Sequence, residues 1–254
     1  MTIKRVFAIG DSCVFGQGLD VNAESVMDFT DTMRDNCWTG QICQMLGLDH
    51  TDPFVYRNDG MPGSSNDRML RLLTNGFPQW LGRSDPATVL VLVGLSDNAR
   101  TEWFYSPWSA YMPFIPNCPP SSGEDKALVK MKELHLAYFD DEREAQDRFM
   151  TQILSMQSFL KVLGVHYVLT QSIAVFLQET IRDNTFDLQK IVRRNYAPVH
   201  YNMIDWSHVF GSTHFLEANR EAGFGVTPCQ HPFAEGHKMW ADQVYKFFVE
   251  HRQA

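Results

Sequence analysis

The sequence contains no run of apolar residues that is long enough to cross a membrane. A membrane helix needs about 20 apolar residues in succession, whereas the N-terminal apolar stretch Val6–Ile9 ends at Gly10 and is too short even for a signal-peptide core. We therefore expect a cytoplasmic protein with no membrane partner. Association with a virion is compatible with the same sequence.

Basic residues are also scarce. The chain of 254 residues has 22 Lys and Arg against 30 Asp and Glu, a formal net charge of −8. A nucleic-acid-binding face needs many basic side chains to neutralise phosphates, so we expect no nucleic-acid partner. Apolar residues make up 44% of the chain, as in ordinary globular proteins.

The cysteines form no C-x-x-C pair, and their odd number argues against a disulfide scaffold or a zinc ribbon. We expect five free thiols. The sequence also lacks H-E-x-x-H, and its C-terminal histidines do not share one helix face, so we expect no metal and no cofactor. These residues are Cys13, Cys37, Cys43, Cys118 and Cys229, and His208, His214, His231 and His237.

Short apolar runs alternate with helix-like stretches, which predicts β-α-β units and a mostly parallel sheet. We expect one α/β domain over residues 1–254, a three-layer α/β/α sandwich. The predicted strands are Arg5–Ile9, Thr88–Val93, Val165–Thr170 and, more weakly, His200–Ile204. The predicted helices are Trp38–Leu46, Ser65–Leu73, about 141–163 and a last one after Pro232.

One segment, from Trp103 to about Glu133, interrupts this alternation. It is rich in aromatic residues and then in proline. A long irregular segment inside a compact domain is usually functional or disordered. We interpret it as an insertion near the site that forms a lid or a substrate wall; a cap over a sheet edge or an oligomer contact explains it equally well.

The sharpest local signal is an apolar strand that ends in Gly10-Asp11-Ser12. A Ser directly after a parallel strand lies at the carboxyl edge of the sheet, where open α/β sheets bind ligands. Backbone N–H groups beyond Gly10 can face a developing oxyanion. Taken alone, the tripeptide fits an ordinary turn or helix cap equally well.

Three later blocks lie at matching positions. A turn containing Gly63 leads into a helix, a second apolar strand ends in Gly94-Leu95-Ser96-Asp97, and His231-Pro232 precedes the last helix. A histidine held by a loop and a proline turn suits a general base that must reach a serine hydroxyl.

In this order and spacing, the four blocks resemble the SGNH (GDSL) hydrolase superfamily, whose fold is flavodoxin-like, and the match spans nearly the whole chain. The resemblance implies that Ser12 is the nucleophile and His231 its base. It also implies that the N–H groups of Ser12 and Gly63 donate to the oxyanion, with Ser96 at the position of a third donor. The ordinary α/β-hydrolase elbow G-x-S-x-G is absent.

The chain departs from this family at two positions. Ser96 stands where the family has Asn, with Asn98 as a less well aligned substitute, and Pro228 stands where it has the Asp of the triad. A backbone carbonyl or Asp205, after the predicted strand 200–204, is our candidate for orienting His231. Cys229 lies two residues before His231, but a free cysteine usually packs as a small apolar residue, and we assign it no role.

Two hypotheses follow. The first is a serine esterase that acts on small acyl esters, among which we favour O-acetyl groups on carbohydrate. The second is a binding or structural protein, phage-encoded in one version, that keeps the fold after its catalysis has decayed. The sequence does not predict an oligomeric state.

Overall fold

The protein is described here from a computed structural model. The structure describes residues 2–25, 27–105, 110–115, 125–138, 142–173, 202–210 and 214–251. Of the five cysteines, Cys118 lies outside these residues, and the other four are free thiols.

The main sheet has five strands, and every neighbouring pair within it is parallel. Its order is β2-β1-β3-β6-β7, so the chain reverses direction across the sheet between β1 and β3. This order is that of doubly wound α/β folds, which confirms the predicted α/β sandwich. The strands of this sheet are β1 (Arg5–Gly10), β2 (Tyr56–Asn58), β3 (Val89–Leu95), β6 (His166–Gln171) and β7 (Val209–Phe210).

Helices cover both faces of this sheet. The first helical layer, α4 and α6, packs on the side of Phe7 and Ile9. The second, with α3 and the C-terminal α8, packs on the side of Val6 and Ala8. The helices are α1 (Ser12–Phe15), α2 (Asp31–Asn36), α3 (Trp38–Met45), α4 (Asn66–Leu81), α5 (Lys126–Tyr138), α6 (Glu142–Leu163), α7 (Phe215–Glu221) and α8 (Ala234–His251).

The buried strands explain both layers. Successive side chains of a strand point to opposite faces, so β1 sends alternate residues into the two cores. All seven residues of β3 are buried. A continuous apolar run of this kind is typical of a strand covered by helices on both faces.

Two glycines open the carboxyl edge of the sheet. Gly10 and Gly94 are register partners on β1 and β3, and a side chain at either would collide with Val14. Val14 lies on α1, the short helix that begins with Ser12. The glycines therefore let α1 sit directly over the strand ends.

The structure corrects two sequence predictions. The weak strand His200–Ile204 is wrong, because residues 202–204 are not extended; His200 and Tyr201 lie outside the described residues. The strand at that edge is β7, five residues further on. The helix predicted over Ser65–Leu73 continues to Leu81, beyond the periodic signal.

The predicted insertion contains a second, two-stranded sheet followed by a helix. Strands β4 (Thr101–Tyr105) and β5 (Ala110–Phe114) form an antiparallel pair, and α5 follows. Arg71 on α4 donates to both carboxylate oxygens of Glu102 on β4, at 2.7 and 2.8 Å, and this contact holds the two-stranded sheet against α4. Among the described residues, no helix is both long and apolar enough to span a membrane.

Candidate active site

The structure brings Ser12 and His231 together. His231 Nε2 lies 2.7 Å from Ser12 Oγ, the distance of a hydrogen bond. Ser12 is the first residue of α1, at the carboxyl end of β1, and is buried. A hydroxyl at this distance from an imidazole nitrogen can transfer its proton to it when an electrophile approaches.

A tight hairpin holds His231 in place. The backbone N–H of Gln230 donates to the carbonyl of Thr227 at 2.8 Å, and the N–H of Thr227 donates to the carbonyl of His231 at 2.8 Å. Pro228 occupies the second position of this turn, where its fixed φ is favourable, and Gln230 has a φ of 66°. A three-residue loop of this kind presents His231 towards the sheet edge.

The surroundings of His231 favour its neutral form. Burial lowers its pKa, a hydrogen bond with the backbone of Cys229 opposes this, and the charge of Arg100 lowers the pKa further. The net effect places the pKa below 6.5. At neutral pH the imidazole can therefore accept a proton.

The sulfur of Cys229 lies next to the other ring nitrogen. His231 Nδ1 is 3.3 Å from Cys229 Sγ, and the same sulfur is 3.1 Å from Thr227 Oγ1. The resemblance compares only the position three residues before His231, which holds Pro228, and therefore does not point to Cys229. Cys229, to which we assigned no role from the sequence, thus occupies the place where a triad carries its acid.

Asp205 does not fill that place. It binds Lys161 Nζ at 2.7 Å and caps the short turn that leads into β7. Because the strand begins after Asp205 and not before it, Asp205 lies at the amino edge of the sheet, opposite Ser12. The hypothesis that it orients His231 is wrong, and its cause is the misplaced strand 200–204.

Two backbone N–H groups near Ser12 are available to a ligand. Among the described residues, neither the N–H of Ser12 nor that of Gly63 donates to a protein acceptor. The loop that carries Gly63 is tied to the end of β1 by Met61, whose N–H donates to the Gly10 carbonyl at 3.1 Å. Gly63 has a φ of 74°, a conformation that favours glycine.

Ser96 lies where the third block was predicted, at the end of β3, and is fully buried. Asn66 clamps its backbone: Asn66 Oδ1 accepts from Ser96 N at 2.9 Å, and Asn66 Nδ2 donates to Ser96 O at 3.0 Å. The Ser96 hydroxyl accepts from Arg100 Nη1 at 3.1 Å. Its role as an oxyanion donor stays a prediction, and Arg100, which no sequence signal selected, brings a guanidinium to the same place.

Asp11, the residue before Ser12, is fully buried. Its Oδ1 accepts the N–H of Cys13 at 2.9 Å, which caps α1. Burial raises its pKa to about 6, although the charge of Arg100, this backbone bond and the Ser172 and Ser96 hydroxyls oppose the shift. Asp11 therefore supports the turn at the nucleophile instead of reaching His231.

His237 caps the start of helix α3. Its Nδ1 accepts the backbone N–H of Trp38 at 3.2 Å, where α3 begins without a side-chain cap from Cys37. Burial lowers its pKa to about 3, so it is neutral. His214 caps α7 and His208 stacks on Tyr167, so these histidines do not converge on one point.

In the described part of the insertion, Ile115 lies beside Gly63. Ile115, directly after β5, places its Cδ1 3.4 Å from where a side chain on Gly63 would begin. Trp103 and Phe114 stack behind it with ring centroids 4.2 Å apart. Ile115 therefore places an apolar side chain beside Gly63, and the substrate-wall interpretation of the insertion stays a prediction.

Comparisons with known proteins give a family and distant likenesses. The model of a family of unknown function, DUF6071, matches residues 21–253. A search of the curated proteins finds no match.

Three solved structures illustrate the likenesses. One is a carbohydrate esterase family 2 enzyme plus carbohydrate-binding domain from Corynascus thermopiles (Myceliophthora fergusii): 15% identity, 100% of this chain, 68% of that chain, TM-score 0.47. Another is the psychrotrophic esterase EstA from Pseudoalteromonas sp., with 10% identity over 99% of this chain and 100% of that chain and a TM-score of 0.47. The third is a catalytic mutant of the acetylxylan esterase Axe2 from Geobacillus stearothermophilus, with 15% identity over 98% of this chain and 95% of that chain and a TM-score of 0.44. Likeness at this level does not identify an activity.

Proposed function

The chain belongs to DUF6071, a family of unknown function, and from the geometry of its site we propose that it is a serine esterase acting on small acyl esters. The observation that carries the proposal is the 2.7 Å contact between Ser12 Oγ and His231 Nε2 at the carboxyl edge of the sheet. The neutral His231 and the unpaired N–H groups of Ser12 and Gly63 support it.

The first half of the reaction forms an acyl-enzyme. Ser12 Oγ attacks the ester carbonyl carbon while its proton moves to His231 Nε2, and the carbonyl π electrons move to the oxygen. The N–H groups of Ser12 and Gly63 bind the resulting oxyanion, with the Arg100 guanidinium nearby. When the oxyanion collapses, the bond to the alkoxy oxygen breaks, and His231 returns the proton to the leaving alcohol.

The second half hydrolyses the acyl-enzyme. Water enters where the alcohol left, gives one proton to His231 and attacks the acyl carbon. Collapse of this second oxyanion breaks the bond to Ser12 Oγ, which recovers the proton from His231. The products are a carboxylic acid and an alcohol, and the enzyme is restored.

We base the proposed substrate class on two features of the insertion. Ile115 confines the space beside Gly63, which favours a short acyl group such as acetyl. Phe104 and Tyr111 are exposed on the same insertion and contact each other, with ring centroids 5.3 Å apart, and exposed aromatic rings suit the apolar face of a sugar. We therefore favour O-acetyl groups on carbohydrate as substrates.

The test is hydrolysis of p-nitrophenyl acetate and of acetylated monosaccharides, together with labelling by a fluorophosphonate. We expect Ser12→Ala to abolish labelling and His231→Gln to lower kcat by about 10⁴-fold or more. Ser155→Ala and His251→Gln, changes on α6 and at the end of α8, are matched controls that should keep full activity.

A protein that has kept the fold but lost catalysis is the second candidate, because Pro228 stands where the family that it resembles has Asp. In that case wild type and Ser12→Ala would be indistinguishable in turnover and in labelling. A binding role, on a phage virion among other settings, would then be preferred.

A further inference from the structure

The proposed reaction requires a particular tautomer of His231. Nε2 must be unprotonated to accept the Ser12 proton, so the ring hydrogen has to reside on Nδ1 and needs an acceptor there. Triads supply a carboxylate at this point. Pro228 leaves no carboxylate three residues before His231, and Asp205 lies at the opposite edge of the sheet.

Cys229 approaches the His231 ring with two groups: its Sγ lies 3.3 Å from Nδ1, and its backbone also forms a hydrogen bond with the ring. Two surrounding groups fix this sulfur. Thr227 Oγ1 lies 3.1 Å away and also accepts the backbone N–H of His231, at 3.1 Å. Gly18, in the loop after α1, approaches so closely that a side chain there would begin 2.8 Å from the sulfur.

We propose that Cys229 is the positioning residue of the site, with its sulfur accepting the Nδ1–H of His231 in place of the usual carboxylate. The proposal rests on the esterase function proposed above. The hairpin that presents His231 also presents this sulfur, because Pro228 and Gln230 bend the chain on either side of Cys229. Thr227 Oγ1 joins the two residues, because it accepts the backbone N–H of His231 and contacts the Cys229 sulfur.

The proposal also explains why Pro228 is tolerated. In this three-residue loop the position three before His231 must turn the chain, and proline suits that place. A carboxylate there is unnecessary once the next residue supplies the acceptor. The sulfur is a weaker acceptor than a carboxylate, so it orients His231 but stabilises the imidazolium less.

The experiment compares Cys229→Ala, Cys229→Ser and Cys229→Asp with wild type in kcat, KM and pH profile. We expect Cys229→Ala to lower kcat by about 10- to 100-fold with little change in KM, since one hydrogen bond to a group that becomes charged is lost. Cys229→Asp should recover activity and move the acid limb of the profile to higher pH, because a carboxylate favours the imidazolium. Cys43→Ala, at a buried position of α3, is the matched control.

A second readout does not depend on activity. The ¹⁵N chemical shifts of the His231 ring report which nitrogen carries hydrogen, and we expect wild type to hold it on Nδ1 and Cys229→Ala to shift towards Nε2–H. An unchanged tautomer, or equal kcat in wild type and Cys229→Ala, would overturn the proposal.

The two proposals can fail separately. If wild type shows no turnover or labelling that depends on Ser12, the esterase function fails, whereas the tautomer still tests Cys229. If turnover depends on Ser12 but Cys229→Ala and Cys229→Asp lose it equally with unshifted pH profiles, only the role of Cys229 fails.

Discussion

At the scale of single residues, Arg100 is the group whose charge acts on the reacting pair. Its guanidinium binds Ser96 Oγ and lowers the pKa of His231. We expect Arg100→Gln to move the acid limb of kcat/KM to higher pH, because the imidazolium is no longer repelled. Steady-state kinetics with the acetate ester between pH 4 and 9 would measure this, with the exposed Arg83→Gln as control. An acid limb that stays in place or moves to lower pH would contradict it.

His237 gives a prediction on stability. Its pKa of about 3 lies below the unfolded value of about 6.5. The stability that depends on its neutral form is present above pH 6.5 and is lost as the pH falls towards 3, with a limiting slope of about 1.4 kcal/mol per pH unit. His237→Asn keeps an acceptor for the Trp38 N–H but does not titrate. Urea unfolding of the two proteins over this range should show a smaller slope in the variant.

The residue pattern placed Ser12 at a strand end and Gly63 and His231 in turns, and the resemblance to the SGNH superfamily is what singled them out together. Cys229 and Arg100 were not predictable. Their positions depend on how a hairpin folds back and how the chain leaves β3, and no residue pattern encodes either. The sequence placed Asn66 directly after the predicted turn. Its two hydrogen bonds to the Ser96 backbone could not be predicted, because they depend on how two distant segments pack together.

At the scale of elements, the hairpin that carries His231 includes a residue in a costly conformation. Gln230 has a φ of 66°, in the left-handed region that residues with a Cβ rarely adopt. We expect Gln230→Gly to raise the free energy of unfolding by about 0.5–1 kcal/mol and Gln230→Val to lower it by about 1–2 kcal/mol. Denaturant titration would measure both. A valine variant as stable as wild type would contradict the strain.

The position of Ile115 predicts acyl selectivity. Ile115→Ala removes the side chain that confines the space beside Gly63. We expect the ratio of kcat/KM for butyrate over acetate to rise about 10-fold, the usual effect of one or two methylenes in an apolar pocket. Leu136→Ala, an exposed position on α5, should leave the ratio unchanged. A fall in both rates with a constant ratio would place Ile115 outside the acyl pocket.

Among the elements, strands β1, β3 and β6 were predictable from their continuous apolar runs. Strands β2 and β7 have three and two residues, too few for a periodic signal, and they form because β1 and β6 offer free edges to them. The end of α4 was missed for a similar reason: its apolar residues Phe77 and Leu81 are spaced for a helix, but Gly76 and Pro78 obscure the pattern.

At the scale of the whole molecule, Asp11 and His237 make opposite contributions to the pH dependence of stability. The pKa of Asp11 is raised to about 6, above its unfolded value of about 3.8. Its contribution is therefore fully present below pH 3.8 and is lost as the pH rises through 6, which is the reverse of His237. Between about pH 4 and 6 the two effects oppose each other and flatten the profile.

Asp11→Asn should expose the contribution of His237. We expect the stability of this variant relative to wild type to rise between pH 4 and 7 by about 1–3 kcal/mol, since the charged form is no longer buried. Thermal or urea unfolding at both pH values would measure the difference. If the difference between the two proteins is the same at pH 4 and pH 7, Asp11 does not titrate in this range.

The contact between Ser12 and His231 joins residues that are 219 positions apart in the chain. Ser12 follows directly after strand β1, whereas His231 lies on the hairpin that precedes helix α8. During refolding, hydrolysis should be the last signal to return, after the spectroscopic signals of sheet and helices, so that turnover itself reports the final closure of the molecule.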